Sequence, residues 1–270
     1  MKFFKRLIFV LVVLYLIALV FVFVKQRSFI YFPENRSPPA EFVSAFNLEI
    51  AEVEVEDIGI VRSFFKSAPE GSKTVLFFHG NGGSVYHRTA LFKKFDEWDL
   101  GYFAVEYPGY ADNQGTPTER SILTSANAHY DWLVARGVRP DNIVIYGHSL
   151  GAASAVHVAS ERDATALVLT APFLSAKAMG RHRMPYFPTD MLLKDKFRSD
   201  LKMALVEEPM VILHGNTDLV IPHHMGEALA ALHSGEHEFV TIPGAGHMIT
   251  VDIMETYLKT AVFKHIADIQ

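Results

Sequence analysis

The chain has 270 residues, of which 50% are hydrophobic, and this suits one large α/β domain with a short additional segment. Its formal net charge of −5, with no basic cluster outside the extreme N-terminus, argues against a nucleic-acid partner. The chain contains no cysteine, which excludes disulfides and thiolate catalysis but does not assign a compartment.

The first element is an apolar stretch at residues 7–24 that contains no charged residue. As a helix it would be roughly 27 Å long, close to the hydrocarbon thickness of a bilayer. A cleaved signal peptide is the alternative, but its apolar region is usually shorter, and no small-x-small cleavage site follows Val24, where Lys25 and Arg27 come at once. We therefore expect residues 1–27 to form an uncleaved signal-anchor that crosses the membrane once.

The charges that flank this stretch give its expected orientation. Three basic residues precede it (Lys2, Lys5 and Arg6), and Lys25 and Arg27 follow it. Cytoplasmic flanks are usually the more basic ones, so the sequence favours a cytoplasmic N-terminus and a catalytic domain on the extracytoplasmic side. The difference amounts to a single charge.

A linker is expected at residues 28–44 and an α/β domain at residues 45–270. Two amphipathic stretches, 47–56 and 58–65, are typical of a hairpin at the edge of a sheet. Apolar runs and helical stretches then alternate, which predicts a doubly wound, mostly parallel sheet with ligands bound at the carboxyl ends of its strands. The later predicted strands are 73–79, 101–106, 142–146, 165–170, 209–214 and 237–242, and the predicted helices are 86–97, 119–136, 150–160, 223–233 and 250–267.

The motif Gly-His-Ser-Leu-Gly at residues 147–151 joins the strand at 142–146 to a helix of small residues. A serine at the apex of such a turn is typical of a nucleophile elbow. Side chains at Gly147 or Gly151 would collide with neighbouring backbone, and Ser149 is expected to adopt a strained conformation that exposes its hydroxyl. The motif alone is weak, because an ordinary glycine-rich turn has the same composition.

Two residues further along the chain fit the partners that a nucleophilic serine needs. Asp218 follows the strand at 209–214, and His247 follows a glycine-rich loop after the strand at 237–242. Either residue alone would be interpreted as an ordinary loop residue. In the order Ser, acid, His, each just past a strand, they predict that Asp218 orients His247 and that His247 takes the proton of Ser149.

The motif His-Gly-Asn-Gly-Gly-Ser at residues 79–84 follows the first buried parallel strand. Its glycines let backbone N–H groups approach a substrate closely, as an oxyanion hole requires. We expect the amides of Leu150 and Asn81 to bind the oxyanion, with Gly82 a less favoured donor. The lysine and the glycine spacing of nucleotide-binding loops are missing, and no metal or organic cofactor is predicted.

Together these motifs resemble the α/β-hydrolase family over about residues 45–267. The resemblance is strongest to its membrane-anchored serine hydrolases, which include esterases, lysophospholipases, depalmitoylases and peptidase-like enzymes. Besides the anchor and the motifs above, the shared segments are Ile-Tyr-Phe-Pro at 30–33, Tyr-Pro-Gly-Tyr at 107–110 and Gly-Thr-Pro-Thr-Glu at 115–119. The resemblance implies the fold and a Ser-His-Asp triad. In one departure, Ala111 stands where this branch has glycine, and since alanine takes positive φ less easily, we expect that loop to differ in shape.

Other polar residues near these motifs have structural interpretations. We expect His148 to pack beside the nucleophile, and His79 and His214 to orient loops. An irregular insert is predicted at residues 173–206. It mixes apolar and basic residues, and it is interpreted as a lid over an acyl pocket, a surface resting on anionic lipid, or an ordinary small cap. Three aspartates of the insert are expected to be solvated: Asp190, Asp195 and Asp200.

The sequence thus predicts a membrane-anchored serine hydrolase that cleaves an ester or thioester through an acyl-enzyme. We favour a small-molecule or lipid acyl substrate, because the anchor holds the site at a bilayer. Peptidase-like amide hydrolysis and a non-catalytic membrane-anchored interaction protein are the alternatives, although proteins of the second kind typically lose the serine, the histidine or the elbow glycines. The sequence makes no prediction of the oligomeric state.

Overall fold

The apolar runs form an eight-stranded sheet in the computed structural model, which describes residues 1–264. Its strands are β2 (Glu49–Val55), β3 (Gly59–Lys66), β4 (Thr74–Phe78), β6 (Gly101–Val105), β7 (Ile143–His148), β8 (Ala166–Thr170), β9 (Met210–Gly215) and β10 (His237–Ile242), and two short strands, β1 (Phe32–Pro33) and β5 (Gly82–Gly83), pair separately. The order across the sheet is β10-β9-β8-β7-β4-β6-β3-β2. All neighbours from β10 to β6 are parallel, while β2 and β3 form the antiparallel hairpin predicted at the edge.

Burial explains the difference between the central and the edge strands. The five strands from β6 to β9 in the sheet are buried at every position, as expected for parallel strands covered by helices on both faces. At the edge, β2 buries Ala51, Val53 and Val55 and exposes Glu52 and Glu54 between them, which is the alternation of a strand with one covered face.

The helices lie around this sheet and in the insert. They are α1 (Lys2–Ile30), α2 (Ala40–Ala45), α3 (Thr89–Glu97), α4 (Glu119–Ala135), α5 (Leu150–Ala159), α6 (Ala176–Arg183), α7 (Thr189–Leu192), α8 (Ser199–Lys202), α9 (His223–Ala230) and α10 (Val251–Lys264). Alternate residues of each strand enter one of two apolar cores, so that Leu76 and Phe78 pack on one face of the sheet while Val75 and Phe77 pack on the other. The ends of the helix predicted at 250–267 and of the domain predicted at 45–270 lie outside the described residues.

Helix α1 is longer than the apolar stretch from which it was predicted. It continues past residue 24 to Ile30 before Tyr31 turns the chain to an extended conformation. The helix is long and apolar enough to cross a membrane. Side chains along its second half, from Tyr15 to Arg27, contact the insert.

The segment predicted as a linker, residues 28–44, is packed structure in large part. It contains the last turn of α1, the two residues of β1 and most of α2. Phe42 is buried, with its ring centroid 5.8 Å from that of Phe64 and 6.1 Å from that of Phe92. Tyr31 is also buried among core residues, so the segment that follows α1 packs against the domain.

Candidate active site

Ser149 is the single residue between strand β7 and helix α5. Strand β7 ends at His148 and α5 begins at Leu150, and Ser149 has φ 55° and ψ −115°. A non-glycine residue at positive φ is strained by roughly 1–3 kcal/mol, and such strain is found where the surrounding structure enforces it. The strain predicted for this serine is therefore present, and its side chain lies at the carboxyl edge of the sheet.

The two elbow glycines are required by close backbone contacts. A Cβ at Gly151 would lie 2.1 Å from the carbonyl oxygen of Phe78, and one at Gly147 would lie 2.4 Å from the carbonyl oxygen of Gly151. Neither glycine is among those with positive φ. The elbow thus needs glycine for space, which is the reason that the sequence suggested.

The fold brings the three predicted triad residues together. Nε2 of His247 lies 3.0 Å from Oγ of Ser149, and Nδ1 of the same ring lies 2.8 Å from Oδ2 of Asp218. Ser149 and Asp218 are buried, while His247 is partly exposed. These contacts join residues up to 98 positions apart in sequence.

Asp218 is held as a carboxylate by its neighbours. Its Oδ1 accepts hydrogen bonds from the backbone N–H groups of Val220 and Ile221, at 2.7 and 2.8 Å. Nε2 of His214 lies 3.3 Å from its Oδ2. Burial opposes ionisation of Asp218, but the hydrogen bonds from His214, His247 and Ile221 outweigh it and hold the pKa of the carboxyl below its ordinary range.

The loop at residues 79–84 passes beside the serine. A Cβ at Gly80 would lie 3.5 Å from Cβ of Ser149, and Asn81 lines the same cavity as Ser149 and Leu150. Leu150 is the first residue of α5, where backbone N–H groups have no partner within the helix. Gly82 pairs with β1 instead. The two preferred oxyanion donors of the sequence analysis thus both border this cavity.

Asn81 itself is held at three points. Its side-chain amide donates to the carbonyl oxygen of Ile30 at 2.7 Å, and its own carbonyl accepts from the N–H of Phe32 at 2.9 Å and from the hydroxyl of Tyr110 at 2.8 Å. Two of these partners belong to the end of α1 and to β1. The loop beside Ser149 is therefore fixed by the segment that follows the apolar helix.

Glu106 is a buried acid that the sequence analysis did not single out. It is fully buried, and its Oε1 accepts hydrogen bonds from the hydroxyl of Ser84 and from the N–H of Val85, the latter at 2.9 Å. Nε2 of His79 lies 3.3 Å from its Oε2. The carboxylate thus binds the end of the loop at 79–84 and lies beside His79 at its start. The sequence contains one signal for this residue, which is an acid directly after an apolar strand. A buried charge in that position needs a partner, since an unpaired buried charge is strongly unfavourable.

The other residues of interest have definite places. His148 packs beside the site with Nδ1 3.0 Å from Oγ1 of Thr170, and burial lowers its pKa well below the ordinary value, so its ring stays neutral. Ala111 adopts φ 48° despite its side chain, and its N–H donates to the carbonyl oxygen of Glu34 at 2.8 Å. Among the residues that the structure describes, no group of three or more His, Asp or Glu side chains is arranged to hold a metal ion.

The insert at 173–206 is more ordered than predicted, and one of its aspartates is not solvated. It contains α6, α7 and α8, whereas the sequence predicted an irregular segment. Asp195 is buried and ion-paired with Arg27 of α1, so the expectation of a solvated side chain was wrong. Asp190 pairs with Arg181 and Lys177 at the surface of the insert.

A cavity of about 350 Å³ lies between Ser149, the insert and the end of α1. This volume is within the range of pockets that bind small molecules. Most of its wall is apolar and is formed by Val22, Phe23, Phe29, Ile30, Met179, Met184, Phe187 and Leu192. The polar groups Ser149 and Asn81 also border it.

Comparison with known proteins agrees with the fold. The sequence model of the Alpha/beta hydrolase family matches residues 75–207, which include the loop at 79–84 and the elbow. An uncharacterized protein of Mycobacterium tuberculosis is 32% identical over 232 residues, which cover 85% of this chain and 83% of that protein. The chain belongs to the alpha/beta hydrolase family.

Further similarities agree with this assignment to the alpha/beta hydrolases. Alpha/beta hydrolase domain-containing protein 17B of Homo sapiens is 29% identical over 202 residues, which cover 73% of this chain and 67% of that protein. Among solved structures, the Pyrococcus furiosus esterase Pf2001 is similar with a TM-score of 0.66 and 17% identity, over 88% of this chain and 98% of that one. At that identity the similarity concerns the fold. Membership of this family supports a hydrolase with a small-molecule substrate.

Proposed function

We propose that the protein is a membrane-anchored serine hydrolase that cleaves an ester or thioester. The observation that carries the proposal is the pair of contacts that links Ser149 Oγ to His247 Nε2 at 3.0 Å and His247 Nδ1 to Asp218 Oδ2 at 2.8 Å. A serine hydroxyl becomes an effective nucleophile when an oriented base removes its proton, and this geometry supplies both the base and its orienting carboxylate.

In the proposed reaction, Oγ of Ser149 attacks the acyl carbon while Nε2 of His247 takes the hydroxyl proton. The carboxylate of Asp218 holds the imidazole and stabilises its positive charge. The backbone N–H groups of Leu150 and Asn81 bind the oxyanion that forms. His247 then donates its proton to the leaving oxygen or sulfur, and water attacks the acyl-enzyme with the same base to release the acid and regenerate the serine.

The surroundings of Ser149 favour an acyl substrate with an apolar chain. The cavity beside the serine is lined mainly by apolar side chains, and two of them, Val22 and Phe23, belong to the predicted membrane span. Burial of such a chain is favourable in proportion to the apolar area removed from water.

The proposal extends to the arrangement of the chain in the membrane. Residues 1–27 are the single-pass anchor, residues 45–270 are the hydrolase domain with its cap at 173–206, and the domain lies on the extracytoplasmic side. Fusion of alkaline phosphatase or green fluorescent protein after Gln270 tests the last point. Active phosphatase without fluorescence supports this side, and the reverse result overturns it.

Intact mass after treatment with a fluorophosphonate tests the activated serine. We expect one adduct on the wild-type chain, none on Ser149→Ala, and one on the control Ser160→Ala, because Ser160 caps the far end of α5. A folded wild-type protein without an adduct would contradict the proposed nucleophile and favour a non-catalytic role. An adduct that persists on Ser149→Ala would place the reactive group elsewhere.

A further inference from the structure

The last turns of α1 dock onto the insert through a buried side-chain amide. Gln26 is 6% exposed, although it lies next to the exposed Lys25 in an apolar helix. Its Nε2 donates to the carbonyl oxygen of Leu192 at 3.1 Å, and its Oε1 accepts from the N–H of Lys194 at 2.7 Å. One side chain thus forms hydrogen bonds with a main-chain carbonyl and a main-chain N–H on either side of Leu193, as a neighbouring strand would.

An ion pair strengthens the same contact. Nε and Nη2 of Arg27 donate to the carboxylate of Asp195 at 2.9 and 3.3 Å, and Asp195 is 3% exposed. That carboxylate also accepts from the N–H of Glu119 at 3.1 Å, which connects the insert to the start of α4. A helix that served only to tether the domain would need neither the buried amide nor the buried acid.

The docked helix forms one wall of the cavity beside Ser149. Val22 and Phe23 lie on the helix side and Met184 and Phe187 lie on the insert side. The helix rises about 1.5 Å per residue, so Val22 lies about 12 Å along the axis from Ile30, whose carbonyl oxygen binds the loop beside Ser149. The wall therefore extends from the serine into the apolar stretch at 7–24.

The insert also contacts α1 closer to its N-terminus, within this apolar stretch. The hydroxyl of Tyr15 donates to the carbonyl oxygen of Tyr186 at 2.8 Å, and the rings of Tyr15 and Phe187 lie 5.9 Å apart. Tyr15 lies nine residues before Val24, or about 13 Å along the helix. The side chains of Tyr186 and Met191 remain 86% and 84% exposed beside a helix suited to lipid. Exposed apolar groups in such a position mark a surface that contacts a membrane.

We infer that α1 is a wall of the acyl-binding site as well as an anchor. Val22 and Phe23 contact the acyl chain of the substrate, and Gln26 holds the insert against the helix. The acyl chain enters from the lipid side, between α1 and the insert. The inference rests on the proposed hydrolase function and deepens it: the substrate is an ester or thioester whose apolar chain reaches the bilayer. Val22 and Phe23 are then specificity-determining residues.

A series of esters with increasing acyl length, assayed with the full-length protein in detergent micelles, tests whether α1 forms a wall of the acyl-binding site. The probes are p-nitrophenyl esters from acetate to palmitate, and the variant is Val22→Trp, which puts an indole into the cavity. We expect kcat/KM for laurate and palmitate to fall at least tenfold relative to kcat/KM for acetate. The matched control is Val24→Trp, because Val24 is 63% exposed and is not among the cavity-lining residues. We expect that control to keep the wild-type profile.

The outcomes separate the inference from the function on which it rests. Identical profiles for Val22→Trp and Val24→Trp would overturn the wall, even with a fully active enzyme. Loss of acetate turnover and of fluorophosphonate labelling in the wild-type chain would instead contradict the hydrolase. If Val22→Trp does not fold, Phe23→Ala takes its place: we expect the preference for long chains over acetate to fall at least fivefold, and an unchanged preference overturns the wall.

Discussion

The side-chain amide of Asn81 donates a hydrogen bond to the carbonyl oxygen of Ile30, the last residue of α1, at 2.7 Å. The last carbonyl groups of a helix have no partner within it, so this bond caps α1 and fixes the loop beside Ser149 at the same time. The end of α1 therefore holds two parts of the site, the loop at 79–84 through Asn81 and the insert through Gln26.

Asn81→Ala tests whether this bond positions the proposed oxyanion donor. The substitution keeps the backbone N–H but removes the side-chain bond to Ile30. Since a small displacement of a catalytic group has a large effect on rate, we expect kcat for p-nitrophenyl acetate to fall about tenfold with little change in KM. Asn127→Ala is the control, because its amide bonds Glu161 between α4 and α5, and we expect it to keep the wild-type kcat. A wild-type kcat for Asn81→Ala would contradict the positioning role.

Asp218→Asn tests the proposed orienting carboxylate. The low pKa of Asp218 keeps it charged throughout the neutral range, so it can stabilise a protonated His247, which a neutral amide cannot do. We expect kcat to fall by about 10⁴-fold, as in other enzymes with this arrangement. The amide oxygen can still accept from Val220 and Ile221, so the variant should remain folded. A fall in kcat of less than tenfold would show that another residue is the orienting acid.

The ion pair of Arg27 and Asp195 should contribute measurably to stability because its carboxylate is buried. A hydrogen bond to a charged group contributes about 2 kcal/mol, so we expect Arg27→Ala to lower the free energy of unfolding by about that amount. Combined with Asp195→Asn, the effect should be smaller than the sum of the two single effects. The control is Arg62→Ala, whose pair with Asp112 is exposed on both sides, and such pairs contribute about 0–1 kcal/mol. Thermal unfolding in detergent measures the stability of the three single variants and the double variant. Equal losses of stability in Arg27→Ala and Arg62→Ala would refute the prediction.

The parts of the site that the sequence predicted are those with local signatures. The elbow around Ser149 needs glycines at fixed spacing, and Asp218 and His247 each follow an apolar run that ends at the same edge of the sheet. A parallel sheet converts those separate positions into neighbours without any further information. The mostly parallel pairing of the strands was predicted in the same way, because helical stretches separate the apolar runs.

The parts that the sequence did not predict depend on partners far along the chain. Asp195 was interpreted as solvated because nothing near it in sequence shows that Arg27, 168 residues away, covers it. Gln26 was assigned only as part of the anchor at residues 1–27, and its partners lie in the insert. The helix α2 is six residues long, too short for a periodic pattern, and it is stabilised by burial of Phe42.

The two glycine-rich motifs predict different responses to alanine. In Gly151→Ala the new Cβ would meet the backbone oxygens of Phe78 and His79 at 2.1 and 2.5 Å, and the elbow would have to open. We expect loss of fluorophosphonate labelling and destabilisation of about 3 kcal/mol or more. At Gly82 nothing lies within 4 Å of a Cβ, so Gly82→Ala should fold normally and serves as the control. Normal labelling of Gly151→Ala would contradict the elbow packing.

His129 provides a test of stability that is independent of the site. It is buried, with Nε2 2.7 Å from Oγ of Ser63 and Nδ1 2.7 Å from the carbonyl oxygen of Ser125. Burial lowers the pKa of His129 to about 4, partly opposed by the bond to Ser125, whereas an unfolded histidine titrates near 6.5. The unfolded chain therefore binds the proton first as the pH falls.

The contribution of a neutral His129 to stability is thus fully present above pH 6.5 and is lost as the pH falls from about 6.5 to about 4. The full loss corresponds to about 3 kcal/mol. His129→Gln cannot titrate, so its free energy of unfolding should depend less on pH over this interval. Urea unfolding at several pH values between 7 and 4.5 measures the difference between the two proteins. Because His148 also has a lowered pKa and remains in both, it cancels in that difference. Parallel curves for wild type and His129→Gln would show that His129 is not the residue responsible.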